Sequence, residues 1–145
     1  MNEHIKMNEH IKINEYIKIN KHTKINVLFA EDNESIRNLY KALIGQAFPE
    51  ISITDVSDGS KALELFKQYS FDIVITDNQM PIMSGCKLAM EIRKTNKAIP
   101  IVMLTALKTE EVNVLIGEGI INKCYEKVWN IGDVFSDIFK TYFID

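Results

Sequence analysis

Most marks of export, disulfide scaffolds and membrane spans are missing from this chain. Among 145 residues there are two cysteines, Cys86 and Cys124, and three prolines. Two thiols without an export signal read as reduced cysteines of a cytoplasmic protein. All three histidines, His4, His10 and His22, lie near the N-terminus, so no imidazole in the body can join the thiols in a zinc site. Apolar runs stop at about five residues, far short of the ~20 that cross a bilayer. The start, with Glu3 and Lys6 among polar residues, lacks the apolar stretch of a secretory signal. Arginine occurs only at Arg37 and Arg93. Residues 1–26 carry Glu3, Glu9 and Glu15 against Lys6, Lys12, Lys18, Lys21 and Lys24, so an overall charge of −3 leaves the body clearly acidic. An acidic body without a basic stripe argues against direct nucleic-acid binding.

What is present alternates. Short apolar runs stand at INVLFA (25–30), ISITDV (51–56), FDIVITD (71–77), IPIVMLTA (99–106) and INKCYEKV (121–128). Helical spacing fills the intervals. The first such stretch follows Asp32-Asn33, carries Ile36, Leu39, Tyr40, Leu43 and Ile44, and stops at Gly45. The second opens at Asp58-Gly59-Ser60 and carries Ala62, Leu63, Leu65, Phe66 and Tyr69. Three more follow, from about Ser84, over Thr109 to Gly117, and through Val134, Phe135, Ile138, Phe139, Tyr142 and Phe143. Five strands alternating with five helices predict an α/β, doubly wound, five-stranded parallel sheet with helices on both faces. Ligands of such sheets bind at the carboxyl ends of the strands.

Hydrophilic groups collect at that predicted edge. Strand one ends in Glu31 and Asp32, strand three in Asp77, strand four in Thr105 and strand five in Lys127. Three neighbouring carboxylates repel one another unless a cation neutralises them. Oxygen ligands alone favour a hard divalent ion, and Mg²⁺ suits a site of one or two carboxylates beside a phosphate. A carboxylate is also a nucleophile toward phosphorus. Asp77, with Mg²⁺ on Glu31 and Asp32 and with Thr105 and Lys127 as donors, supplies the set that phosphoryl transfer requires. Singly, each residue has a plainer reading. Asp32 or Asn33 caps a helix, a contribution of about 0.5–2 kcal/mol, and Lys127 alone is a solvated charge.

In combination, the residues from 25 to 143 resemble a receiver domain of the two-component response-regulator family, of the chemotaxis-regulator-like superfamily. VLFAEDN is similar to its opening acidic pair, IVITDNQMPIMSG to its phosphoacceptor strand and loop, and IVMLTA to its fourth strand. The resemblance implies strand order 2-1-3-4-5. It also implies that Asp77 accepts phosphoryl from a sensor histidine kinase or a histidine phosphotransfer protein. Mg²⁺ would then be held by Glu31, Asp32, Asp77 and the main-chain carbonyl of Gln79, with Thr105 and Lys127 contacting the phosphoryl group. With no output domain after the last helix, the signal is expected to pass to a downstream protein target. The face formed by helix four, strand five and helix five is the expected surface. No turnover of an outside substrate is expected, only slow self-dephosphorylation tuned by Gln79.

Two departures from the family pattern stand out. Lys127 is followed by Val128 where the family has proline, and a cis bond before valine costs about 2.5–4 kcal/mol, so a trans bond is expected. The family's switch aromatic falls at Cys124, with Tyr125 one place on and therefore on the opposite face of the strand. These departures motivate an alternative reading, a receiver-like binding module that is not phosphorylated. A dehalogenase-type phosphohydrolase is set aside, because it would place D-x-D after strand one, where Glu31-Asp32-Asn33-Glu34 stands.

Residues 2–25 hold near-copies of a hexapeptide, NEHIKM, NEHIKI, NEYIKI and NKHTKI, which make residues 1–24 a repeat tail. The domain, 25–145, does not need them. They read as a mobile tail outside it, or else as a strand-like arm, since their period of two fits a strand better than a helix.

Overall fold

Inside the apolar runs hides an alternation that decides which side chain meets which helix layer. The computed structural model describes residues 24–127 and 131–144. Strands β1 (Ile25–Ala30), β2 (Ile51–Val56), β3 (Ile73–Thr76), β4 (Ile101–Thr105) and β5 (Lys123–Glu126) alternate with helices α1 (Glu34–Ala47), α2 (Gly59–Gln68), α3 (Gly85–Arg93), α4 (Glu110–Gly117) and α5 (Ile131–Phe143). All pairings are parallel, in the order β2-β1-β3-β4-β5. Val27, Phe29, Ile73, Ile75, Val102 and Leu104 face the layer containing α1 and α5. Leu28, Ala30, Val74, Ile101 and Met103 face α2, α3 and α4. Both faces are covered, so β1, β3 and β4 are almost wholly buried, as their apolar composition requires.

Side-chain caps set where four of the helices begin. Asn33 Oδ1 accepts from Ile36 N at 3.0 Å, Asp58 Oδ1 from Lys61 N at 2.8 Å, Ser84 Oγ from Lys87 N at 3.1 Å and Thr109 Oγ1 from Val112 N at 3.3 Å. Each satisfies an amide that the first turn would leave without a partner. Asn33, not Asp32, caps α1, which leaves the Asp32 carboxylate exposed at the strand end.

Three expectations need correction. Helix α1 runs through Gly45 to Ala47, because the fully buried Phe48 closes its last turn with a 2.8 Å bond to Ile44 O. Its buried line is Tyr40 and Ile44, with Ile36 packed against the same core. Leu39 and Leu43, read as part of that line, are 54% and 39% exposed. Tyr69 lies just beyond α2 and is exposed. Residues 1–23, which hold nearly all of the hexapeptide repeat, lie outside the described residues, as do Val128 and Trp129, and the expectations for the tail and for the bond after Lys127 lie there with them. No helix among the described residues is long and apolar enough to cross a membrane.

Candidate functional site

Register brings the predicted residues together. Ala30 pairs with Thr76, so Glu31 and Asp77 leave the sheet side by side, tied by the Asp77 N to Ala30 O bond of 2.9 Å. Thr76 pairs with Met103, so β4 overhangs by two residues and carries Thr105 above the acids. Thr105 pairs with Glu126, and Lys127 N donates to Thr105 O at 2.8 Å, placing Lys127 at the same rim.

Glu31 is 1% exposed and Asp77 6%, while Asp32 is open to solvent. Carboxylate oxygens of the three lie within 4.8 Å of one another. Lys127 Nζ sits among them, 2.6 Å from Glu31 Oε1 and 2.8 Å from Asp77 Oδ2. The remaining oxygens accept from main-chain amides, Glu31 Oε2 from Asn33 N at 3.1 Å and Asp77 Oδ1 from Asn78 N at 2.7 Å. Burial, assisted by the charge of Asp77, pushes the Glu31 carboxyl above the usual carboxylate range in spite of Lys127. Burial would lower Lys127, but its bonds to Asp77 and Glu31 outweigh burial and hold the ammonium above the ordinary lysine value. The chemistry of this set is plain: oxygen donors, surplus negative charge and one open side, which suits a hard divalent cation. Thr105 is buried, and its hydroxyl makes a long 3.4 Å bond to Leu107 O.

The loop after Asp77 is held tightly. Gln79 is exposed, directly beyond the buried Asn78. Ile82 has φ of 69°, and Met83 N donates to Pro81 O at 2.7 Å across it, the strained γ-turn of positive φ. The chain then returns so closely that a Cβ on Gly85 would stand 2.0 Å from Asp77 O, and one on Gly59 2.4 Å from Met83 O. Asn78 ties the return, taking Gly85 N on its carbonyl at 2.9 Å and Cys86 N on Oδ1 at 3.0 Å. Sequence reasoning missed this residue; its only signal was an amide side chain directly after the candidate nucleophile.

On β5, Cys124 packs toward the α2–α4 side and Tyr125 toward the α1–α5 side, as strand alternation predicts. The Tyr125 hydroxyl donates to Asp137 Oδ2 on α5, and Lys123 Nζ reaches the same oxygen at 3.0 Å. Both arginines are anchors on main-chain carbonyls. Arg93 bonds Ile120 O at 2.9 Å, and Arg37 bonds Glu31 O at 2.8 Å.

Comparison with known proteins agrees with this geometry. The family described as the response regulator receiver domain matches residues 27–136. The chemotaxis protein CheY of Halobacterium salinarum is 33% identical over 116 residues, 77% of this chain and 94% of that protein. The autoinducer 2 sensor kinase/phosphatase LuxQ of Vibrio vulnificus is 40% identical over 81 residues, 55% of this chain and 9% of its own length. The response regulator TrrA of Thermotoga maritima, solved in complex with Mg²⁺–BeF, aligns with a TM-score of 0.70 at 28% identity, covering 80% of this chain and 97% of that one. With a match across well over half of its length, on a sheet whose strand ends already gather the acids, the chain belongs to the response regulator receiver family.

Proposed function

We propose that Asp77 accepts a phosphoryl group from a phosphohistidine of a sensor histidine kinase or a histidine phosphotransfer protein. The observation that carries this reading is the placement of Lys127 Nζ 2.8 Å from Asp77 Oδ2, inside a cluster of three carboxylates. An Asp77 carboxylate oxygen would form the new O–P bond as the N–P bond breaks, its electron pair returning to the imidazole. Glu31, Asp32 and Asp77, with the main-chain carbonyl of Gln79, would hold Mg²⁺, which neutralises phosphoryl oxygens as charge shifts. Three carboxylates and one ammonium leave two negative charges, the deficit that a divalent cation meets.

Lys127 would follow the phosphoryl group from its place between Asp77 and Glu31. The substitution after it has not turned it away, which weighs against the non-phosphorylated alternative. Thr105 would turn its hydroxyl to the same group. Its present bond, at 3.4 Å, is long, so redirecting it costs less than the roughly 0.5–1.5 kcal/mol of an ordinary hydrogen bond. The protein assists its own phosphorylation and slow hydrolysis, and acts in the cytoplasm through contacts with a downstream protein. The kinase named among its relatives supports a two-component partner.

Incubation with acetyl phosphate and Mg²⁺, followed by intact-mass measurement, tests the reading. The wild-type chain is expected to gain the mass of one phosphoryl group, and Asp77→Asn none. No gain by the wild type, while a control receiver is labelled, would sink the proposal.

A further inference from the structure

Arg37 stands outside the acid cluster and has no part in the chemistry above. Its side chain is only 15% exposed. One arm, Nη1, donates to the carbonyl of Glu31 at 2.8 Å, and Nε donates to Asp55 Oδ2 at 3.1 Å. Asp55 is the next-to-last residue of β2, and its other oxygen takes Lys41 Nζ at 2.9 Å. Burial would raise the Asp55 carboxyl, but Lys41 and then Arg37 hold it below the usual range. A line of charges therefore runs from Lys41 through Asp55 and Arg37 to the main chain of Glu31.

That carbonyl is half of the peptide joining Glu31 to Asp32. Its plane sets how Asp32 leaves the strand end and how the chain turns into α1. Around it, Glu31 N is fixed to Val56 O at 3.0 Å, and Arg37's own amide to Asn33 O at 2.9 Å. The guanidinium thus closes the turn bearing both acids from the helix side, and only a planar, two-armed donor bonds the carbonyl and Asp55 together. We infer that Arg37 is a positioning residue for the cation site: it locks the Glu31–Asp32 peptide so that both carboxylates face Asp77, with Asp55 as its anchor.

This inference rests on the Mg²⁺ reading of the site, and the test separates the two. Mg²⁺ is titrated into the full-length chain and followed by amide shifts in NMR, with thermal unfolding measured with and without Mg²⁺. Arg37→Met is expected to weaken Mg²⁺ binding about 10- to 100-fold, the loss usual when a residue orienting metal ligands is removed. Its Mg²⁺-induced rise in Tm should shrink accordingly. Arg37→Lys keeps the charge but not the two-armed grip, and should bind Mg²⁺ nearly as weakly. Asp55→Asn, which leaves Arg37 in place but slackens its anchor, should lose affinity several-fold and serves should Arg37→Met fail to fold. Affinity within twofold of wild type in Arg37→Lys would overturn the inference. So would a lower Tm in metal-free Arg37→Met with unchanged affinity, since that marks a structural role only. A wild-type chain that takes up no Mg²⁺ overturns the metal reading itself, and the inference falls with it.

Discussion

Replacing Gly85 with alanine has an effect whose sign depends on one short distance. In a helix, alanine is favoured over glycine by about 1 kcal/mol, so propensity alone makes Gly85→Ala stabilising. The structure forecasts the reverse. A Cβ at Gly85 would stand 2.0 Å from Asp77 O, against the 3.0 Å that real Cβ contacts essentially never breach. Asp77 cannot yield, because its amide is bonded to Ala30 O at 2.9 Å and its carbonyl takes the Thr76 hydroxyl at 2.7 Å. The start of α3 must instead retreat by about 1 Å, stretching the bonds from Gly85 N and Cys86 N to Asn78. Leaving two buried amides poorly satisfied costs about 1–3 kcal/mol each, which, less the ~1 kcal/mol of propensity, makes the expected net loss about 1–5 kcal/mol. Urea unfolding followed by far-UV circular dichroism measures it. Gly45→Ala is the control: it lies in α1 with nothing within 4 Å of the new Cβ, and should gain about 0.5–1 kcal/mol. A Gly85→Ala protein as stable as wild type, or more so, would refute the steric reasoning.

Two further outcomes follow from strain and from charge. Ile82→Gly should raise stability by about 0.5–1 kcal/mol in the same urea assay, since Ile82 is 84% exposed, loses little packing and leaves a positive φ that L side chains resist by about 1–2 kcal/mol; a loss of stability would count against strain at this turn. The Tyr125 phenol is pushed up to about 12 by burial and then by the Asp137 carboxylate, so the stability it contributes is intact below its ordinary value of 10.0 and lost as pH rises toward 12. Difference absorbance against Tyr125→Phe should place its ionisation near 12, and Asp137→Asn should bring it only part of the way down, burial being the larger cause.

The legible parts of this fold are those where one residue type has one physical use. Runs such as INVLFA and ISITDV coincide with β1 and β2, because β-branched and apolar residues in short runs have few other places to go. Asp58, Ser84 and Thr109 announced their helices because a short polar side chain before an amphipathic stretch satisfies a first-turn amide. Glu31, Asp77 and Lys127 were visible as polar groups ending strands, and the register made them neighbours. Less legible were residues whose partner comes from elsewhere in the chain. Leu39 and Leu43 match the helical spacing, but α1 buries a narrow line and leaves them outside. Arg37 resembles any solvated helix cation until β2 brings Asp55 beside it. Asn78 could have been a loop amide; only the return of Gly85 against Asp77 makes its two acceptors necessary.

Lys127, anchored between Glu31 and Asp77, has a consequence for which ions the cluster would favour. The ammonium is a resident monovalent counter-ion, supplied by the chain at no cost in diffusion. A sodium or potassium ion arriving there would offer the same single charge that is already in place, and would have to shed water to do so. A divalent ion brings a second charge, and that second charge is what the tethered lysine cannot provide. Discrimination between monovalent and divalent ions would thus begin with a side chain of the protein itself, before size or coordination geometry has any say.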